Sequence, residues 1–350
     1  MPDLFTPIRL GDLDLPNRIF MAPLTRARSG STRVPNSMMV EYYRQRASAG
    51  LILSEATVVS PQGIGYADTP GIWSAEQVEG WKAVTRAVHG AGGRIFLQLW
   101  HVGRISHPSF LGGETPVAPS PIAPSGHVSL IRPQTPYVVP RALAREELPG
   151  IVENFRLGAA NAQAAGFDGV EIHGANGYLL DQFLQDRSNQ RTDDHGGSIA
   201  NRARLLLEVT DAVAGVWGAS RVGMHLAPRG DAHDMGDSDR LATFSHVARE
   251  LGKRRIAFIA TREKPGPDWI GPQLKAAFGG TYVANEDLDL ASANALLAAG
   301  SADAVAFGKL FIANPDLPRR FATAAPLNPP DPQTFYAAGP AGYTDYPALA

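Results

Sequence analysis

Apolar and polar positions fall into a repeating order along this chain. A helical pattern ends in a small residue and glycine, and a short apolar run follows. The junction appears as SAGLILSEATV (48–58), HGAGGRIFLQLW (89–100), AAGFDGVEIHG (164–174), LGKRRIAFIA (251–260) and AAGSADAVAFG (298–308). Glycine just past a helix end takes the left-handed cap. An apolar run beside it, without alternation, reads as a strand buried on both faces. RIFMAP (18–23), RVGMHL (221–226) and GGTYVAN (279–285) are three further runs of this kind. Repeated helix-then-strand order means parallel strands, and eight of them in about 300 residues predict a (β/α)8 TIM barrel. A doubly wound sheet is the alternative. Its glycine fingerprint follows a strand and opens a helix, whereas HGAGGR precedes a strand.

Two segments lie outside the repeat. IRLGDLDL (8–15) alternates around Gly11-Asp12 and predicts an N-terminal β-hairpin, placed to plug the bottom of the barrel. The proline-rich stretch 115–140 lies between the third strand and its helix. A flexible linker is the simpler reading, but a long excursion inside one repeat predicts a lid insertion over the active-site face. Helix 146–165 resumes after it, with Glu146 and Glu147 near its start. Residues 1–350 read as a single barrel domain.

Active sites of such barrels sit at the C-terminal ends of the strands. Strand 1 brings Pro23 and Thr25 there, and strand 2 brings 54–57 with Ala56. Strand 3 brings Gln98, Trp100 and His101; strand 4 brings His173, Asn176 and Tyr178; strand 5 brings His225. A lone His or Trp is ordinarily structural, but convergence on one face favours function. His101, His173 and His225 together raise a zinc-hydrolase reading. Strands 1 and 2 offer Pro23, Thr25 and Ala56 where more ligands are needed, and no H-x-H or H-E-x-x-H occurs, so no metal is expected. A phosphate is better supported. Gly308-Lys309 follows strand 8 and Asn285 ends strand 7, the usual barrel phosphate loops.

Composition narrows the partners. With 350 residues, 44% of them hydrophobic, the chain can bury a large core. Its formal charge of −2 carries no long run of one sign, so no nucleic-acid partner is expected. The absence of cysteine excludes disulfides, thiolate metal sites and cysteine nucleophiles. The N-terminus lacks the pattern of a signal peptide, and no apolar run reaches about 18 residues. The expectation is a cytoplasmic protein without a membrane partner.

Longer motifs carry a resemblance. LFTPIRLGDLDLPNRIFMAPLTRAR, SEATVVSPQGIGY, QLWHVGRISH, VEIHGANGYLLDQFLQDRSNQRTDDHGGSIANRARL, FGKLFIANPDL and GYTDYP occur in order from Leu4 to Pro347. They resemble the old yellow enzyme family of FMN-dependent ene-reductases, in particular its bacterial ene-reductases and nitroester reductases. The resemblance implies FMN at the top of the barrel, reduced by NADPH or NADH, and hydride transfer from flavin N5 to an activated alkene. By family analogy His173 and Asn176 hydrogen-bond the carbonyl or nitro oxygen of the substrate, and Tyr178 protonates the α-carbon. Thr25 tunes the flavin near N5, Pro23 and Ala56 contact its ring through the backbone, and Gln98 bonds the pyrimidine edge. Tyr66, Trp100 and Tyr343 wall the substrate pocket, with the C-terminal tail, 326–350, reaching the active-site face. Gly308, Lys309 and the loop at Asn285 hold the phosphate. The small-molecule partner implied is an enone, enal, maleimide, nitroalkene or nitrate ester.

The chain departs from the family at several places. His225 stands where Arg is usual beside flavin N1 and O2. Histidine is shorter and, with a reference pKa of about 6.5, need not be charged at neutral pH. A lower flavin potential or weaker FMN retention follows as an expectation, more marked as pH rises. Lys309 also replaces Arg, keeping the charge but losing the bidentate fork. His195 replaces a usual tyrosine, and ANR (200–202) replaces ENR; both are expected to affect packing. These losses leave open a binding protein with weak FMN affinity. Oligomeric state is left open.

Overall fold

The computed structural model describes residues 1–129, 131–230 and 232–349. Each of the eight apolar runs forms a strand. They are β1 (Ile19–Met21), β2 (Leu51–Leu53), β3 (Ile95–Trp100), β4 (Gly169–Gly174), β5 (Val222–Leu226), β6 (Phe258–Arg262), β7 (Thr281–Asn285) and β8 (Ala304–Phe307). Neighbours pair in parallel around the whole ring, and β8 closes on β1 through Phe307 opposite Met21. This is the (β/α)8 barrel. A second segment, Thr57–Val58, extends the β2 arm along β3 after a break at 54–56.

Strand alternation divides the core into two shells. Outward residues such as Leu97, Leu99, Ile172 and Ile259 pack under the helices. Inward residues Phe20, Leu51, Leu53, Phe96, Phe258 and Val283 fill the lower barrel. Leu10, Leu13 and Leu15 of the hairpin, whose two strands pair antiparallel, close that cluster from below. Each such buried side chain contributes about 1.5–3 kcal/mol. Glycine starts β4 because a Cβ at Gly169 would lie 2.3 Å from the Phe96 ring, and Gly223 faces Phe258 at 2.2 Å in the same way. Small residues low on β4 and β5 thus admit two phenylalanines from neighbouring strands.

Above this apolar floor the inward positions turn polar: Gln98 on β3, Glu171 and His173 on β4, His225 on β5, Arg262 on β6 and Asn285 on β7. The 115–140 excursion is closed at its base by parallel pairing of Val117–Ala118 with Arg141–Ala142. A bridge between His127 and Pro136 narrows its tip. Helix Leu148–Ala164 follows, preceded by a 3-10 turn at Arg145–Glu147.

The C-terminal tail is bound by three buried arginines. Arg26 and Arg28, just after β1, donate to the carbonyls of Thr334, Phe335, Gly339, Ala341 and Gly342. Arg46 donates to Tyr343 in the tail and to Phe311 and Ile312 after β8. Tyr343 stacks on Tyr42 at 4.1 Å beneath these guanidinium groups. His195 and Arg202 also act in packing. His195 lies 3.3 Å from Glu208, and Arg202 clamps Leu184, Gly197 and Asp237. Among the described residues no helix is long and apolar enough to cross a membrane.

Candidate active site

The C-terminal mouth of the barrel holds a cavity of about 750 Å³. Pro23, Thr25, Asn176, His225, Asn285, Gly308 and Lys309 line it, as do Arg262, Phe335 and Tyr336. A second cavity of about 380 Å³ adjoins it through Thr25 and Tyr336. That one is lined by Tyr66 and Tyr178 and by the lid residues His127, Val128, Ser129, Arg132 and Gln134. The proline-rich excursion therefore faces the site at its tip.

The fourth strand brings its polar residues together. His173 is buried on β4 itself, one position before the strand ends. The chain then turns through Asn176, whose φ of 58° is left-handed. Tyr178 precedes the short helix Leu179–Leu184. Asn176 does not cap this helix: Tyr178 occupies the cap position without a side-chain bond, and Asp181 accepts the Gly177 N–H at 2.8 Å.

Hydrogen bonds fix which atoms remain free. The Ala175 N–H points at His173 Nδ1, which leaves Nε2 as the protonated nitrogen of a neutral ring. Burial first, then His225 and Arg262, hold this imidazole well below its ordinary pKa, so it stays neutral. Arg262 Nη1 donates to Asn176 Oδ1 at 3.2 Å, so the Asn176 amide presents Nδ2 as a donor. Tyr178 stands edge-on to His173, with ring centroids 5.0 Å apart, and its hydroxyl lies 2.9 Å from that of Tyr66. Trp100 backs both tyrosines, stacked on Tyr66 at 5.4 Å and edge-on to Tyr178 at 4.9 Å. Burial raises the Tyr178 phenol, keeping it protonated.

Behind the cavity Gln98 Nε2 donates to Glu171 at 2.7 Å and lies 3.2 Å from His225 Nδ1. Burial pushes the Glu171 carboxyl up to about 8, and its Oε1 has no partner. Burial, then the Arg262 charge, push His225 down to about 3. The expected fading of a His225 charge as pH rises is corrected accordingly: in the flavin-free protein the ring is neutral throughout the working range.

Three further expectations change. Tyr343 does not wall the pocket: it is fully buried under the arginine clamp, and Tyr336, seven residues earlier, lines both cavities instead. Ala56 lies outside both linings, in a small cluster with Val58 and Trp100. Gln98 reaches the cavity only through His225. Arg262 leaves no mark in the sequence pattern, because the apolar run of β6 ends at Ala260. Two more steps of strand alternation carry an inward side chain to position 262. Glu286 and Asp287, after β7, also enter the cavity wall. His101 turns its Nδ1 to the Gly103 N–H, and among the described residues no group of three or more His, Asp or Glu could hold a metal.

The cavity fits a flat molecule with hydrogen-bond acceptors and an anionic end. Ala22 and Ala306 keep its floor shallow; among the described residues the Thr25 and Lys309 side chains have no partner, and His225, whose Nδ1 lies 3.2 Å from Gln98, keeps Nε2 for a ligand. Residues 3–328 match the model of the NADH:flavin oxidoreductase / NADH oxidase family. The chain is similar to 12-oxophytodienoate reductase 1 of Oryza sativa subsp. japonica, 45% identical over 99% of this chain and 93% of the relative. It is 44% identical to 12-oxophytodienoate reductase 2 of Arabidopsis thaliana, over 99% and 96%. Morphinone reductase in complex with tetrahydroNAD superposes with a TM-score of 0.97 at 49% identity, covering 100% and 98% of the two chains. The old yellow enzyme homologue from Zymomonas mobilis gives 0.97 at 45%, covering 99% and 100%.

Proposed function

The chain belongs to the NADH:flavin oxidoreductase / NADH oxidase family, the old yellow enzymes, and from that premise we propose that it reduces activated carbon–carbon double bonds. It is an NAD(P)H-dependent FMN oxidoreductase. Enones, enals, maleimides and nitroalkenes are the substrates the site favours, with nitrate esters as a further class. The observation that carries the reading is the pair of free donors, His173 Nε2 and Asn176 Nδ2, beside a protonated Tyr178.

The redox chemistry, a hydride accepted from the nicotinamide and a hydride delivered to the alkene β-carbon, belongs to bound FMN. Thr25, His225, Gly308, Lys309 and Asn285 are the residues in position to hold it. His173 and Asn176 bind the substrate oxygen. Both are neutral donors, so they stabilise charge that builds on that oxygen without needing to lose a proton. Tyr178 holds a proton at its phenol oxygen and gives it to the α-carbon. Tyr66 orients that phenol through the 2.9 Å contact. Tyr66, with Trp100 packed behind it, and Tyr336 exclude water, and the lid tip lines the same cavity as these two tyrosines.

A visible spectrum of purified, desalted protein tests the reading. Yellow protein, bleached by anaerobic NADPH and recoloured by cyclohexenone, is the expected result. Protein that stays colourless after incubation with FMN would overturn it.

A further inference from the structure

The loop after β7 carries carboxylates into the part of the cavity where a phosphate has to sit. Loops after the seventh and eighth strands are the anion site of these barrels. Here that stretch contributes Glu286, Asp287 and Asp289 to the wall, against the cations Arg262, Lys264 and Lys309. The two sets cancel in formal charge. Two of the cations are already taken: Arg262 pairs with Glu286 at 3.0 Å and Lys264 with Asp287 at 3.1 Å. Asp289 turns to the N-terminus of helix Leu290–Ala298, where it accepts from Ser292. Of the three cations, Lys309 has no partner among the described residues.

Backbone geometry supports a built arrangement. Glu286 and Asp287 have φ of 102° and 51°, two consecutive left-handed residues without glycine. Such conformations persist where surrounding contacts hold them. The contacts here are the ion pairs back to Arg262 and Lys264.

Resting on the FMN reading above, we infer that Glu286 and Asp287 act as an internal competitor for the flavin phosphate. Binding of a phosphorylated flavin exchanges partners: Arg262 leaves Glu286 for the phosphate, and the carboxylate turns to solvent. Glu286 is the stronger competitor, because its pair is the less exposed and shares Arg262 with Asn176. The consequence is a poor distinction between FMN and riboflavin, which lacks the phosphate.

Dissociation constants for FMN and riboflavin, read from flavin fluorescence quenching, test this in the unmodified protein and in Glu286→Gln. The unmodified protein should prefer FMN by less than about tenfold, and Glu286→Gln should tighten FMN by about fivefold or more while leaving riboflavin unchanged; a unit charge a few ångströms from a dianion accounts for that change at a surface dielectric. Riboflavin binding reports that the variant is folded. If Glu286→Gln does not fold, Asp287→Asn and the FMN-to-riboflavin ratio of the unmodified protein carry the test. An unmodified preference for FMN of a thousandfold, an unchanged FMN constant in the variant, or equal tightening of both flavins would each overturn the inference. Failure of the unmodified protein to bind either flavin would instead overturn the FMN reading.

Discussion

Glu171 offers a quantitative test of the polar layer beneath the cavity. Its carboxyl is fully buried on β4, accepts one hydrogen bond from Gln98, and leaves Oε1 unpartnered. Burial therefore lifts it from an ordinary value of 4.5 to about 8. Between those two values the folded chain keeps a proton that the unfolded chain has released, so stability falls as pH rises through this window and levels off above 8. At 1.36 kcal/mol per pH unit, lifting the group from 4.5 to about 8 costs about 5 kcal/mol above pH 8. That is an upper bound, since relaxation and water entry lower the penalty on a buried ion. Glu171→Gln keeps the shape and the acceptor for Gln98 but cannot ionise. Near pH 5 variant and parent should melt together. By pH 8.5 the variant should be ahead by up to about 7 °C, taking an unfolding entropy of about 2.1 cal/mol/K per residue. Flavin-free protein is the sample, and the difference between two melting curves cancels titration of Asp181 and Glu55, which both share. Parallel curves from pH 5 to 8.5 would refute the reasoning and mean that Glu171 folds as a carboxylate.

Other substitutions divide the site by role. Tyr178→Phe should lower alkene turnover by about 10²–10⁴, while stopped-flow reduction of the flavin by NADPH is unchanged; equal loss in both half-reactions would remove the proton-donor role. Asn176→Ala should cost about 10²–10³ in kcat by removing one donor to the substrate oxygen. His225→Arg should raise the midpoint potential by about 30 mV, which is about 1.4 kcal/mol for a two-electron couple, and spectroelectrochemistry reads it directly. Tyr343→Ala should lower stability by about 3–5 kcal/mol. Tyr336→Ala should leave melting nearly unchanged and alter KM; the opposite pattern would return Tyr343 to the pocket wall.

Much of this architecture was legible because double burial leaves a plain mark. Runs such as IFLQLW and VEIHG are apolar at the outward positions, whatever the barrel interior holds. The polar residues at the mouth of β4 stood out for the same reason, as hydrogen-bonding groups after a strand with no need of them. Arg262 was hidden because Thr261 and Arg262 extend β6 beyond its apolar run. Tyr336 was hidden because the tail has no periodic pattern. Its place is set by carbonyl contacts to Arg26 and Arg28 more than 300 positions away. The motif around Tyr343 points to the pocket, whereas its burial, its stacking on Tyr42 and the arginines over its ring give it a structural role.

That tail clamp has a consequence for biosynthesis. Arg26 and Arg28 leave the ribosome more than 300 residues before the carbonyls they need. Until those arrive, the guanidinium groups of the barrel's opening turn lack these acceptors and stay hydrated, since burying them without acceptors would cost several kcal/mol. Tyr336 is missing from the cavity over the same interval. A chain stopped after the eighth strand therefore lacks both the clamp and one wall of the cavity. One wall of the cavity is thus completed only once translation has passed the clamp.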